Sequence, residues 1–218
     1  MQPEKLFYFN GVPIHAESVK RLHPRRQVYR LVLRSNQDLC GLPTVVILKK
    51  TKEEWESEFQ QEIEVYEKFK SLQGSVVLIF FGQATFDDSP AIVISEVIGT
   101  NLLNFARSMI PISEDELRSK LEKPMHAIHS LGAEYLDQRL DNFILCDTGE
   151  IMVVDLGQVD FPPDLDEWKK GVNYGGVGSL LYLFYQFRER KMLSASGQCT
   201  PHPAVALYLG IDTGVDPF

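Results

Sequence analysis

Hydrophobic positions along the chain change their period several times, and each change marks an element. Gln27–Arg34 (QVYRLVLR) alternates, with Tyr29, Leu31 and Leu33 on one side, as on a half-buried strand. A turn-like run, SNQDLCGLP, leads to a second apolar strand at Thr44–Lys49 (TVVILK), so the two are expected to pair antiparallel. Before Gln27 the chain is weakly patterned. From Lys52 to Leu72, Phe59, Ile63, Tyr66, Phe69 and Lys70 recur near a 3.6 period and predict one long helix that Gly74 ends. VVLIFFGQATF and AIVISEV, joined by Asp-Asp-Ser-Pro, form a second β pair.

Beyond Gly99 the pattern becomes helical. Ser113 and Glu116 have the spacing of a capping box for a helix running toward Leu131, with Pro124 inside it as a point of division and Gly132 beyond its end. Phe143–Cys146 and Glu150–Val154 flank Asp147-Thr148-Gly149, a hairpin signal. A last helix is expected from about Ser179 to Arg188, before a Pro- and Gly-rich tail. The order predicts an α+β protein with a β-rich half carrying one helix (1–96) and a mostly helical half (97–218).

Composition narrows the classes. The chain has 218 residues, 44 % hydrophobic and 24 % charged, enough for a sizeable core. A formal charge of −8 argues against nucleic acid or an anionic membrane as the main partner, yet leaves room for a local basic pocket. No apolar run approaches membrane-spanning length, and the N-terminus lacks the layout of a signal peptide. Cys40, Cys146 and Cys199 are isolated, as reduced thiols are, so an intracellular setting, cytoplasmic or nuclear, is expected. His126 and His129 share an i,i+3 spacing but have no further ligand at hand, so packing is the expectation for them.

The segment Tyr135–Gly157 (YLDQRLDNFILCDTGEIMVVDLG) concentrates candidate chemistry. Asp137 and Asn142 lie five apart, a hairpin follows, and Asp155 ends its apolar strand. Phosphoryl transfer from ATP requires a carboxylate that takes the proton of the attacking hydroxyl, and oxygen ligands that hold Mg²⁺ against the phosphates. One compact unit supplies all three groups.

Here the sequence resembles the protein-kinase-like superfamily, in particular its small divergent fungal-type members. YLDQRLDN stands at the place of His-Arg-Asp-x-x-x-x-Asn, and DLG at that of Asp-Phe-Gly. The resemblance implies a bilobal protein-kinase-like fold with an abbreviated C-terminal lobe, and ATP and Mg²⁺ as cofactors. It implies Asp137 as catalytic base, Arg139 as the cation that meets the transferring group, and Asn142 and Asp155 as metal ligands. Val46-Ile47-Leu48-Lys49 resembles Val-Ala-Ile-Lys, which makes Lys49 the phosphate-binding lysine, with Lys50 the neighbouring alternative on the opposite face. QEIEVYEKF implies Glu62 as the partner of Lys49, and AIVISEVIGT implies adenine contacts at Ser95, Glu96, Val97 and Ile98.

Departures from the pattern are concentrated at the start and end. No Gly-x-Gly-x-x-Gly loop precedes Lys49; KRLHPRRQVYR stands there, with His23, Arg25 and Arg26 as sources of charge. The segment after Gly157, QVDFPPDLDEW, is short. The function expected is transfer of the ATP γ-phosphoryl group to a hydroxyl, on a protein Ser/Thr or on a small molecule. The alternative is a pseudokinase that binds nucleotide or protein without turnover.

Overall fold

The N-terminal stretch holds a hairpin that alternation alone does not reveal. In the computed structural model, which describes residues 5–23, 26–52, 54–163 and 173–195, strands β1 (Lys5–Phe9) and β2 (Val12–Arg21) are joined by Asn10-Gly11. Both turn residues have positive φ (51° and 77°), as a two-residue turn matched to strand twist requires. Arg25, the end of the segment after Gly157, the Pro/Gly tail and Cys199 lie outside the described residues.

β1 pairs with β2 on one side and with β5 (Phe80–Phe86) on the other; β3 (Val28–Leu33), β4 (Val45–Lys50) and β6 (Ser89–Ser95) complete the circuit. The result is a closed antiparallel barrel in the order β1-β2-β3-β4-β6-β5. Irregularities at Ala16/Ser18 in β2 and Phe80/Gly82 in β5 bend the strands, as bulges do where a sheet must curve to close. Phe7, Phe9, Ile14, Leu31, Leu33, Val46, Leu48, Phe86 and Val93 alternate inward and fill the barrel.

This closure corrects the expected fold. A closed six-stranded antiparallel barrel, with four α-helices among the described residues, stands in place of the bilobal protein-kinase-like fold with an abbreviated C-terminal lobe. The reason is physical: β1 carries two large inward side chains, Phe7 and Phe9, and its pairing with β5 leaves the sheet no free edge. The resemblance on which that expectation rested does not extend from its short motifs to the architecture.

Outside the barrel, Ile47, Ile92 and Ile94 point away from its interior and pack with Ile63, Val65 and Tyr66 of α1 (Glu56–Lys68). That cluster runs without a break into α2 (Leu102–Ser108), α3 (Glu114–Ser130) and α4 (Asn173–Ala195). α1 is shorter than expected; Lys70–Leu72 forms a separate 3-10 turn. α3 starts where Ser113 predicts, with Ser113 Oγ accepting from the Glu116 N–H at 3.2 Å, and it runs unbroken through Pro124. α4 begins earlier and ends later than expected. β7 (Gly99–Asn101), β9 (Phe143–Cys146) and β10 (Ile151–Val153) form a small sheet, and β8 (Glu134–Tyr135) pairs with β11 (Val159–Asp160).

Candidate functional site: a lysine between two carboxylates at the mouth of paired cavities

Alternation along β4 decides which of two adjacent lysines faces the helices. Val46 and Leu48 point into the barrel, so Ile47 and Lys49 point out toward α1. Lys49 Nζ lies 2.6 Å from Glu62 Oε2 and 2.7 Å from Asp155 Oδ1. The Lys50 ammonium goes elsewhere, 3.9 Å from Asp87 and above the Phe86 ring.

Glu62 is 2 % exposed, on the face of α1 that carries Ile63 and Tyr66. Burial pushes its carboxyl up and the nearby Asp155 adds to this, against the pull of Lys49 and a hydrogen bond from the Leu156 backbone. Burial alone would lower Lys49, but the two carboxylates outweigh it and hold the ammonium above its usual range. Burial likewise opposes ionisation of Asp155, and Lys49 and Arg26 overcome it, so that carboxyl sits below its ordinary value. The three groups form one charge-compensated unit.

Asp155 follows β10 with φ 67°, a left-handed conformation uncommon for a non-glycine residue. Beneath it the fully buried Tyr135 directs its hydroxyl at the carbonyls of Val154 and Asp155, 3.1 and 3.3 Å away. Tyr135 therefore braces the strand end that presents Asp155. Gln61 Nε2 donates to the Val159 carbonyl at 2.7 Å, which ties α1 to β11 beside the same segment.

Asn142 is fully buried in a 3-10 turn; its Nδ2 donates to Asp137 Oδ2 at 2.7 Å and to the Asp137 carbonyl at 3.1 Å. That bond fixes the amide so that Oδ1 faces away from Asp137. Burial raises the Asp137 carboxyl, although the Asn142 bond and Arg139 work against it. Arg139 is exposed and grips Asp141 through two 3.1 Å hydrogen bonds.

Two cavities meet at Lys49. One, of about 220 Å³, is the more polar of the two and holds Lys49, Lys52, Asp137, Arg139 and Asp155 in its wall. The other, of about 330 Å³, is largely apolar, lined by Val28, Ile47, Leu78, Ile94 and Val154 among others, and reaches Ser95, Glu96 and Val97. Ser95 Oγ accepts from the Ile79 N–H at 3.0 Å, and the Glu96 carboxylate pairs with Arg30 at 2.6 Å. Ile98 stands apart: its side chain is 70 % exposed, it does not line this cavity, and its carbonyl accepts from the Asp147 N–H.

Of the residues singled out in the sequence, Lys49, Glu62, Asp137, Arg139 and Asp155 thus share the wall of one cavity, and Asn142 adjoins them through Asp137. Asp155, Asn142 Oδ1 and Asp141 are hard oxygen donors of the kind Mg²⁺ prefers, with too few of them for an all-protein cage. Among the described residues no group of three or more His, Cys, Asp or Glu is placed to hold a metal alone. The residue that sequence reasoning underrated is Arg26: it comes from the β2–β3 connection, and its guanidinium touches Asp141, Asn142 and Asp155. The basic run HPRR was the only signal for it.

No protein-family model matches this chain, and no curated protein matches it. The expected membership of the protein-kinase-like superfamily, including its fungal-type members, therefore falls with the fold. No helix among the described residues is long and apolar enough to cross a membrane.

Proposed function

We propose that the protein is an ATP-dependent phosphotransferase that moves the γ-phosphoryl group to a hydroxyl, on a protein serine or threonine or on a small molecule. The observation that carries this reading is the Lys49 ammonium held between Glu62 and Asp155, where an apolar cavity meets a polar one. The apolar cavity is of a size and character for a purine ring, with Ser95, Glu96 and Val97 at its edge. Lys49 is then within reach of the α- and β-phosphates, and Glu62 fixes its direction.

In the polar cavity Asp137 accepts the proton of the acceptor hydroxyl as its oxygen bonds to the γ-phosphorus. The bond from that phosphorus to the β–γ bridging oxygen breaks, ADP leaves with the electron pair, and Asp137 returns the proton to solvent. Arg139 faces the charge that develops on the transferring group. Magnesium, when bound, would neutralise phosphate charge, with Asp155 and Asn142 as its protein ligands. The raised Asp137 carboxyl makes it a better proton acceptor than an exposed aspartate.

The test follows label from γ-phosphate-labelled ATP into the protein and into a panel of Ser/Thr proteins and hydroxylated small molecules. Asp137→Asn is expected to leave the ATP-induced rise in melting temperature nearly intact and to lower transfer by about two to four decades. Transfer that persists unchanged in Asp137→Asn refutes the assigned base. A second reading, a nucleotide-binding module without turnover, is favoured by one feature, the Arg26 guanidinium already seated on Asp141, Asn142 and Asp155. Mg·ATP binding with no transfer to any acceptor supports that reading over the first.

A further inference from the structure

Arg26 comes from the barrel, yet its guanidinium lies against three oxygen-bearing side chains more than a hundred residues later in the chain. Its Nη2 donates to Asp141 Oδ2 at 2.7 Å, Nη1 lies 3.4 Å from Asn142 Oδ1, and Nη1 lies 3.6 Å from Asp155 Oδ2. Asn142 cannot turn its amide around, because Nδ2 is committed to Asp137. The three oxygens therefore all face one guanidinium, a cation supplied by this chain itself.

We propose that Arg26 is an internal cation in the divalent-metal seat of this site, so that metal binding and the Arg26 contacts exclude one another. The inference rests on the phosphotransferase reading for the identity of the seat. A guanidinium and a divalent ion cannot share the same lone pairs, and their mutual repulsion at such a distance is strong even in a polar surround. Arg26 thereby sets the metal dependence of the site: in the nucleotide-free protein it satisfies Asp155 and Asn142, and the metal enters only as the guanidinium leaves. Arg26 borders both cavities, so phosphate oxygens arriving beside Lys49 offer the departing guanidinium a new partner.

Mn²⁺ is the probe, titrated into nucleotide-free protein and followed by the paramagnetic resonance of the free ion. Arg26→Met, which keeps an unbranched stem without the charged head, is expected to bind Mn²⁺ at least about tenfold more tightly than the wild type. Adding Asp155→Asn to that variant is expected to abolish the gain. In parallel, the Arg26 side-chain Nε–H resonance of the wild type is followed on addition of Mg²⁺, and it is expected to shift and exchange faster as the contacts break. That measurement needs no variant to fold. Equal or weaker Mn²⁺ binding in Arg26→Met, or an Arg26 resonance unmoved at saturating Mg²⁺, overturns the proposal. Neither readout involves phosphate transfer, so the exclusion can fail while labelled phosphate still moves, and the reverse.

Discussion

Replacing Lys49 with methionine removes the one cation among the described residues that touches the buried Glu62 carboxylate and leaves a side chain of similar length. Glu62 is 2 % exposed, so its charge has no water to turn to. Removing one partner of such a pair ordinarily costs about 3–5 kcal/mol. Protonation sets a ceiling on the Glu62 share, since the carboxyl can escape by taking up a proton. Against its ordinary value of 4.5, neutralising it at pH 7 costs at most about 3.4 kcal/mol, and at pH 5 less than about 1 kcal/mol. Asp155 also loses Lys49, but it retains Arg26 and is partly open to solvent, so its share is smaller. A carboxyl whose folded pKa lies above its unfolded value favours the folded state fully below the unfolded pKa, and that contribution is lost as pH rises through the folded pKa. The Glu62 part of the penalty in Lys49→Met is therefore expected to be large at pH 7 and to shrink toward pH 5. Urea unfolding of both proteins at the two pH values reads this difference directly. A loss below about 1 kcal/mol at pH 7, or the same loss at both pH values, refutes the account of Glu62 as a buried charge held by Lys49.

Tyr66→Phe is expected to be neutral or to stabilise by up to about 1 kcal/mol in urea unfolding, because the fully buried Tyr66 hydroxyl makes no hydrogen bond among the described residues. Gly99→Ala is expected to lower the melting temperature by several degrees, about 1–3 kcal/mol of overpacking, since a β-carbon there would lie 2.3 Å from the Leu145 carbonyl oxygen and 2.8 Å from Cys146 Cα. Ser113→Ala should cost about 1 kcal/mol by removing the cap of α3, while Ser119→Ala, mid-helix, serves as the control. Asp155→Ala is expected to abolish any Mg²⁺-dependent thermal stabilisation by ATP, and stabilisation that survives it would place the metal elsewhere.

Much of the local structure was legible because it is local. The faces of β3 follow from alternation, the start of α3 from Ser113, and the hairpin around Asp147-Thr148-Gly149 from its turn chemistry. The proximity of Asp137 to Asn142 was likewise readable, since five residues and a single turn separate them. Even the choice of Lys49 over Lys50 is a consequence of strand period, once the face that meets α1 is known.

What the sequence could not decide is which partners distant segments choose. Period-2 alternation assigns faces to a strand but says nothing of what its free edge will pair with, so the closure of β1 on β5, between residues 75 to 79 positions apart, was hidden. β1 and β2 were hidden too, since their alternation is weak and the Asn10-Gly11 turn was the only strong signal. The ion pair between Lys49 and Asp155 and the contact of Arg26 with Asp141 span more than a hundred residues. No spacing rule reaches that far, because the energy of such contacts depends on burial and on competing charges that exist only after the chain has packed. The sequence alone thus determined elements, their faces and a compact set of candidate oxygens. Tertiary structure decided that the strands close into a barrel, that one lysine joins two carboxylates, and that an arginine from the barrel shares their site.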